Sequence, residues 1–81
     1  MNIFVANFDQ DTDEEDLEVL FGNFGTVTDV NIWINSKTGE SAGYGFVTIS
    51  DDSGAERAIE ELDGLLWNGR RLKVSKARHQ I

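Results

Sequence analysis

The sequence predicts an α+β domain in which four antiparallel strands form one sheet and two helices pack on one of its faces. Apolar residues alternate with period two in four short runs and recur at helical spacing in two others. Each change of period falls at a residue that caps a helix or makes a turn.

The elements follow in order. Ile3, Phe4 and Val5 open the first strand, which runs through Asn7 and Phe8, with Ile3 and Val5 on one face and Phe4 on the other. Asp11, Thr12 and Asp13 are good helix N-caps, and the acids after them suit the partial positive charge of a helix N-terminus. Leu17, Leu20, Phe21 and Phe24 recur at helical spacing, and Gly25 is the expected stop. Val27, Val30 and Ile32 mark a second strand ending near Ile34, followed by a polar loop over residues 35–41. The third strand is Ala42-Gly43-Tyr44-Gly45-Phe46-Val47-Thr48-Ile49. Asp51, Asp52 and Ser53 offer caps for a second helix, with Ala55, Ala58, Ile59 and Leu62 inward and Asp63-Gly64 closing it. Asn68-Gly69 signals a hairpin between a short segment, residues 65–67, and a last strand, residues 71–76, with Leu72 and Val74 inward. The order β-α-β-β-α-β is that of the ferredoxin-like sandwich, with both helices on one face of a four-stranded antiparallel sheet. The other face is left to solvent.

At 81 residues the chain is read as one domain, 1–81, able to bury roughly 60–65% of its unfolded surface. It has no cysteine, which excludes disulfides and thiolate metal sites and suits a reducing cytoplasm. No apolar run approaches the ~20 residues of a membrane span, and the first residues lack the basic and apolar regions of a signal peptide. The expectation is a cytoplasmic, soluble protein without membrane contact. Fifteen acids against seven basic residues give a net charge of −8, which is the wrong sign for a nucleic-acid binder. The charge is uneven, however. Asp9, Asp11, Asp13, Glu14, Glu15, Asp16 and Glu18 crowd one early stretch, while Arg70, Arg71, Lys73, Lys76 and Arg78 crowd the end. Net charge governs long-range attraction, and local charge governs docking.

Alternation assigns the solvent face. The first strand contributes Phe4, and the third contributes Tyr44, Phe46 and Thr48. If Val30 and Ile32 point to the helices, Asn31 and Trp33 face out; with Leu72 and Val74 inward, so do Arg71, Lys73 and Ser75. With a strand order of fourth, first, third, second, the expected face is free of acids, aromatic in the middle and cationic along one edge. Such an aromatic patch is a platform for planar ligands, and bases are the usual ones. Trp33 either extends the platform or shields the sheet edge; Trp67, before the turn, reads as packing. The few polar residues after Lys76 are too short a cover for three aromatics, so the face is expected to stand free in a monomer.

Residues 42–49 resemble the octamer motif of the RNA recognition motif family, and residues 3–8 resemble its hexamer motif. The resemblance extends over essentially the whole chain, including Leu62-Asp63-Gly64 and the finish from Gly69 through Val74, and its layout is similar to small cyanobacterial single-domain RNA-binding proteins. It implies that Phe4, Tyr44 and Phe46 stack on bases or pack on a ribose. The octamer of that family begins with Lys or Arg, where this chain has Ala42, and ends in Phe or Tyr, where it has Ile49. Ile49 faces the core, so only the Ala42 departure bears on binding, by removing a cation.

The resemblance thus implies single-stranded RNA laid across the sheet, with single-stranded DNA left open as a further ligand. Phe4 and Phe46 would stack on adjacent bases and Tyr44 would pack near the sugar. Lys73, Arg71 or Lys76 would meet phosphate, and Ser75, Lys76, Ala77 and Arg78 would read base identity. Stacking supplies about 1–3 kcal/mol per base, against about 1.5–3 kcal/mol for a lost charged hydrogen bond, so binding would persist in weakened form and with broad specificity. Post-transcriptional regulation is the cellular role this implies, with no cofactor.

Other readings fare worse. Asp9, Asp11 and Asp13 alternate as in a calcium loop, but Glu14 stands where glycine is required and Leu20 where the bidentate glutamate belongs. Gly43-Tyr44-Gly45 begins like a dinucleotide fingerprint, but Thr48 replaces the third glycine and the segment stays in a strand. His79 has no positioned partner and no nucleophile–base set appears, so an enzyme is not expected. The rival is a protein-interaction module that takes a basic peptide on the acidic first helix. Relatives of that kind carry an Arg-x-Phe signature where Leu66-Trp67-Asn68 stands here, and they tend to lose the sheet aromatics.

Overall fold

A computed structural model of the protein describes residues 1–77. Burial alternates along the strands as the period-two pattern requires. Ile3 and Val5 of β1 (Asn2–Ala6) and Val47 and Ile49 of β3 (Ser41–Ile49) are fully buried, while Phe4, Tyr44 and Phe46 are not. Strand β2 (Val27–Ile34) packs Val27, Val30 and Ile32 against the same core. The main sheet has the order β2-β3-β1-β6, all antiparallel, with β6 spanning Lys73–Lys76.

Helix α1 (Glu14–Gly22) starts at Asp13, whose side chain accepts from the Asp16 amide (2.9 Å) while Asp16 reaches back to the Asp13 amide (3.1 Å). This reciprocal cap contributes about 0.5–2 kcal/mol. Asp9 accepts from the Asp11 amide (2.9 Å), so the early acids serve as turn and cap. Leu17 and Phe21 point into the core, where each full burial contributes about 1.5–3 kcal/mol. The helix stops earlier than expected: Asn23 caps it in right-handed conformation, its side-chain Nδ2 donating to the Val19 and Leu20 carbonyls. Gly25 is therefore not the cap; it lies where a Cβ would press on Ile49 at 2.9 Å. Helix α2 (Asp52–Leu62) starts at Asp51, which accepts from the Gly54 amide (3.1 Å), and buries Ala55, Ala58 and Leu62. Both helices back the same sheet face. Among the described residues no helix is long and apolar enough to cross a membrane.

The last strand is split where a continuous one over residues 71–76 was expected. Asn68 and Gly69 both take positive φ (51° and 83°), the turn that matches strand twist, and join β4 (Leu66–Trp67) to β5 (Arg70–Arg71) in a separate two-stranded sheet. Leu72 then tucks into the core between the two sheets, its amide donating to the Leu65 carbonyl (2.9 Å). Trp67 is half-buried and packs on the core, as its place before the turn suggested.

Candidate nucleic-acid interface

Strand register arranges the open face in three rows. Lys73 of β6, Ala6 of β1 and Tyr44 of β3 lie side by side, with Trp33 of β2 stacked on Tyr44. Next come Ser75, Phe4, Phe46 and Asn31, and then Asn2, Thr48 and Asp29. The first row is aromatic and cationic, the second aromatic at its centre, and the third polar with one acid.

The four aromatics hold one another. Phe4 lies 5.6 Å from Phe46 and 6.1 Å from Tyr44, ring centre to ring centre, both tilted. Trp33 is nearly parallel to Tyr44 (6.2 Å, 19°) and meets Phe46 edge-on (6.4 Å). These are preferred aromatic geometries, and rings fixed by neighbours lose less freedom when a ligand stacks on them. Trp33 remains 48% exposed, so it widens the aromatic surface toward β2.

Two octamer glycines make the platform possible. Gly43 has φ +83°, and its carbonyl accepts from both the Asn7 and Phe8 amides (2.8 and 3.3 Å), which bends β3 at the end of β1. Gly45 faces the core, where a Cβ would run into the Asn31 carbonyl; only glycine lets β2 pair this closely beside Tyr44 and Phe46.

The cations differ from those expected. Lys73 and Ser75 stand on the face, but Arg71 turns away and donates to the Gly64 carbonyl (2.9 Å), because its backbone belongs to the β4–β5 hairpin. Lys76 pairs with core-facing Ile3 and so emerges on the helix side, beside Glu56, Ile59 and Glu60. Arg78 lies outside the described residues, as does His79. Arg70 stands beside the face instead. Its Nη2 donates to Asn7 Oδ1 (2.9 Å) and its Nε to the Asn7 carbonyl (3.3 Å). Asn7, at φ 68°, completes the clamp by donating from Nδ2 to the Arg71 carbonyl (2.7 Å). Arg70 and Lys73 thereby wall a hollow of about 760 Å³ floored by Phe4, Ala6, Gly43 and Tyr44, with Ala42 on its rim. Nothing in the spacing of Arg70 announced this, since it depends on a bond across 63 positions.

The face is not free of acids. Asp29 pairs with Thr48 and shares the face with Asn31, whose Nδ2 donates to Asp29 Oδ2 (3.0 Å). Asp9 also lines the hollow. The acids of α1 and α2 lie on the helices that back the opposite sheet face.

Fold and face together define a two-layer α+β sandwich whose sheet presents aromatics from its two central strands. The chain belongs to the RNA recognition motif family, whose model matches residues 3–73. It is 42% identical over 78 residues to RbpB of Nostoc sp., a protein designated as RNA-binding, spanning 96% of this chain and 76% of that one. The crystal structure of RNA-binding protein PG1 superposes with a TM-score of 0.95 at 41% identity, covering 100% of this chain and 98% of the other. The Sxl-lethal protein/RNA complex gives 0.90 at 37% identity, covering 98% of this chain and 47% of its counterpart.

Proposed function

We propose that this protein binds single-stranded RNA by stacking bases on the open sheet face, with single-stranded DNA as a further ligand of the same kind. The observation that supports this most is the mutually braced set of Phe4, Tyr44, Phe46 and Trp33 left facing solvent, flanked by Lys73 and Arg70. The RNA-binding designation of the relatives and the RNA in one solved neighbour agree with it. Phe4 and Phe46 take adjacent bases, Tyr44 packs on the sugar, Trp33 offers a further stacking surface, and Lys73 with Arg70 meets phosphate. With two cations at the contact, affinity is modest and rests on stacking, at about 1–3 kcal/mol per base. Such a site, in a monomer, suits post-transcriptional regulation of many cytoplasmic targets.

The test is a Phe4→Ala, Phe46→Ala double variant titrated with short RNA while circular dichroism confirms the fold. Removing both stacks should weaken binding at least 30-fold, from about 2 kcal/mol at the low end of that range. Wild-type affinity in the folded double variant would sink the proposal.

A second reading has one observation in its favour. Val19 is 69% exposed on α1 and lines, with Leu20 and Trp67, a hollow of mixed polarity shared with Glu15, Asp16, Asn23 and Asn68, which suits a basic peptide with one apolar side chain. Amide-shift mapping separates the two: RNA should move β1 and β3 resonances, a peptide those of residues 13–24 and Trp67.

A further inference from the structure

The Asp29–Asn31 contact has a chemical consequence for which base the face accepts. A carboxylate offers only acceptors, so Asn31 must turn its nitrogen toward Asp29, as the 3.0 Å bond records. The amide oxygen of Asn31 is then directed away from that bond. Among the described residues no side chain donates to it or to Asp29 Oδ1, and no cation pairs with Asp29. The neighbouring Thr48–Asn2 pair (2.8 Å) imposes no such polarity, because a hydroxyl both donates and accepts. Thus the β2 edge of the platform presents acceptors in a row. Asn31 sits directly across from Phe46, and Asp29 is its next neighbour on the same face, within reach of a base stacked on that ring.

We infer that Asp29, oriented by Asn31, selects guanine at the Phe46 position by accepting hydrogen bonds from N1–H and the N2 amine. This rests on the stacking function proposed above. Single-stranded bases are read on their Watson–Crick edges. Guanine is the base with two adjacent donors on that edge; adenine and cytosine set an acceptor beside their amine, and uracil has one N–H between two carbonyls. Each of those would bring an acceptor against Asp29 or Asn31 Oδ1. The same carboxylate repels phosphate, which keeps the RNA backbone toward Lys73 and Arg70 at the opposite edge of the same face.

The experiment titrates wild type and Asp29→Asn with heptauridine and with heptauridines carrying one central guanosine, inosine or adenosine, following β2 and β3 amides by NMR. Inosine keeps N1–H and loses the N2 amine. Wild type should prefer guanosine to inosine about tenfold, in the range of a hydrogen bond to a charged group. Asp29→Asn, at an exposed position, should abolish that preference and, by removing the charge that faces phosphate and the uracil carbonyls, tighten heptauridine binding. Equal binding of guanosine and inosine by wild type, or an undiminished preference in the variant, overturns the assignment and leaves stacking intact. If none of the oligonucleotides perturbs the sheet, the stacking function fails and the assignment fails with it.

Discussion

Ala42 stands at the rim of the hollow that Arg70 and Lys73 wall, at the octamer position where the family carries a cation. Replacing it by arginine restores that charge at an exposed strand position, so the core is untouched. Two face cations give a salt slope of about −1.4 for single strands, at roughly −0.7 per neutralised phosphate, and a third gives about −2.1. The affinity gain is bounded from both sides. A desolvated charged hydrogen bond contributes about 1.5–3 kcal/mol, whereas an exposed ion pair contributes about 0.2–1 kcal/mol. An arginine on the open rim lies between them, at about 0.5–1.5 kcal/mol or roughly 2- to 12-fold. Asp9 lines the same hollow and would hold part of the new charge, which favours the lower half of that range.

Fluorescence anisotropy with labelled heptauridine, between about 25 and 300 mM salt, reads both quantities at once. Ala42→Gln serves as the control, matching reach without charge, and should leave the slope unchanged. A variant that tightens without steepening would show that the arginine packs on a base instead of meeting phosphate. A wild-type slope beyond about −4 would show that the cations at the contact have been misidentified, and the reasoning would fall.

Arg70→Ala should flatten the wild-type slope by about 0.7 and weaken binding, whereas Arg71→Ala, whose guanidinium holds Gly64, should leave the slope unchanged; the same titration checks both. Gly45→Ala should destabilise the fold by about 1–3 kcal/mol or more, because the new methyl meets the Asn31 carbonyl and β2 must move. Urea unfolding measures this, and an unchanged midpoint would mean that β2 does not lie so close.

The aromatic face was legible because a two-residue period survives small errors in strand boundaries: Ile3, Val5, Val47 and Ile49 bury whatever the strand ends, and Phe4, Tyr44 and Phe46 follow. The same parity rule places Lys76 with Val74 on the inward side, and Asp29 with Asn31 on the open side. Both were in the sequence. Membership of a basic tail points Lys76 toward phosphate while its strand parity turns it inward, and the odd spacing from Val27 to Val30, a register shift in β2, hides the parity of Asp29. The position of Arg70 was different in kind. It depends on the break at Leu72 and on the left-handed turn at Asn7, two local conformations that only the assembled sheet and hairpin make favourable. Gly25 failed for the opposite reason: a glycine after a helix suggests a cap, but here it is a near contact with Ile49.

The net charge of −8 and the proposed ligand are reconciled by distance. Glu14, Glu15, Asp16 and Glu18 on α1, and Asp52, Glu56, Glu60 and Glu61 on α2, belong to the layer behind the sheet. Packed layers lie about 10 Å apart, and the Debye length is about 8 Å at physiological ionic strength. The open face therefore responds to its own charges, Lys73 and Arg70 against Asp29 and Asp9, which balance. Counterion release then contributes little, and the acidic layer discourages loose association with any polyanion at low salt. What is left to hold an RNA strand is the stacking surface and its acceptor edge. Both act on bases, so this face should discriminate by base more than its small count of cations would suggest.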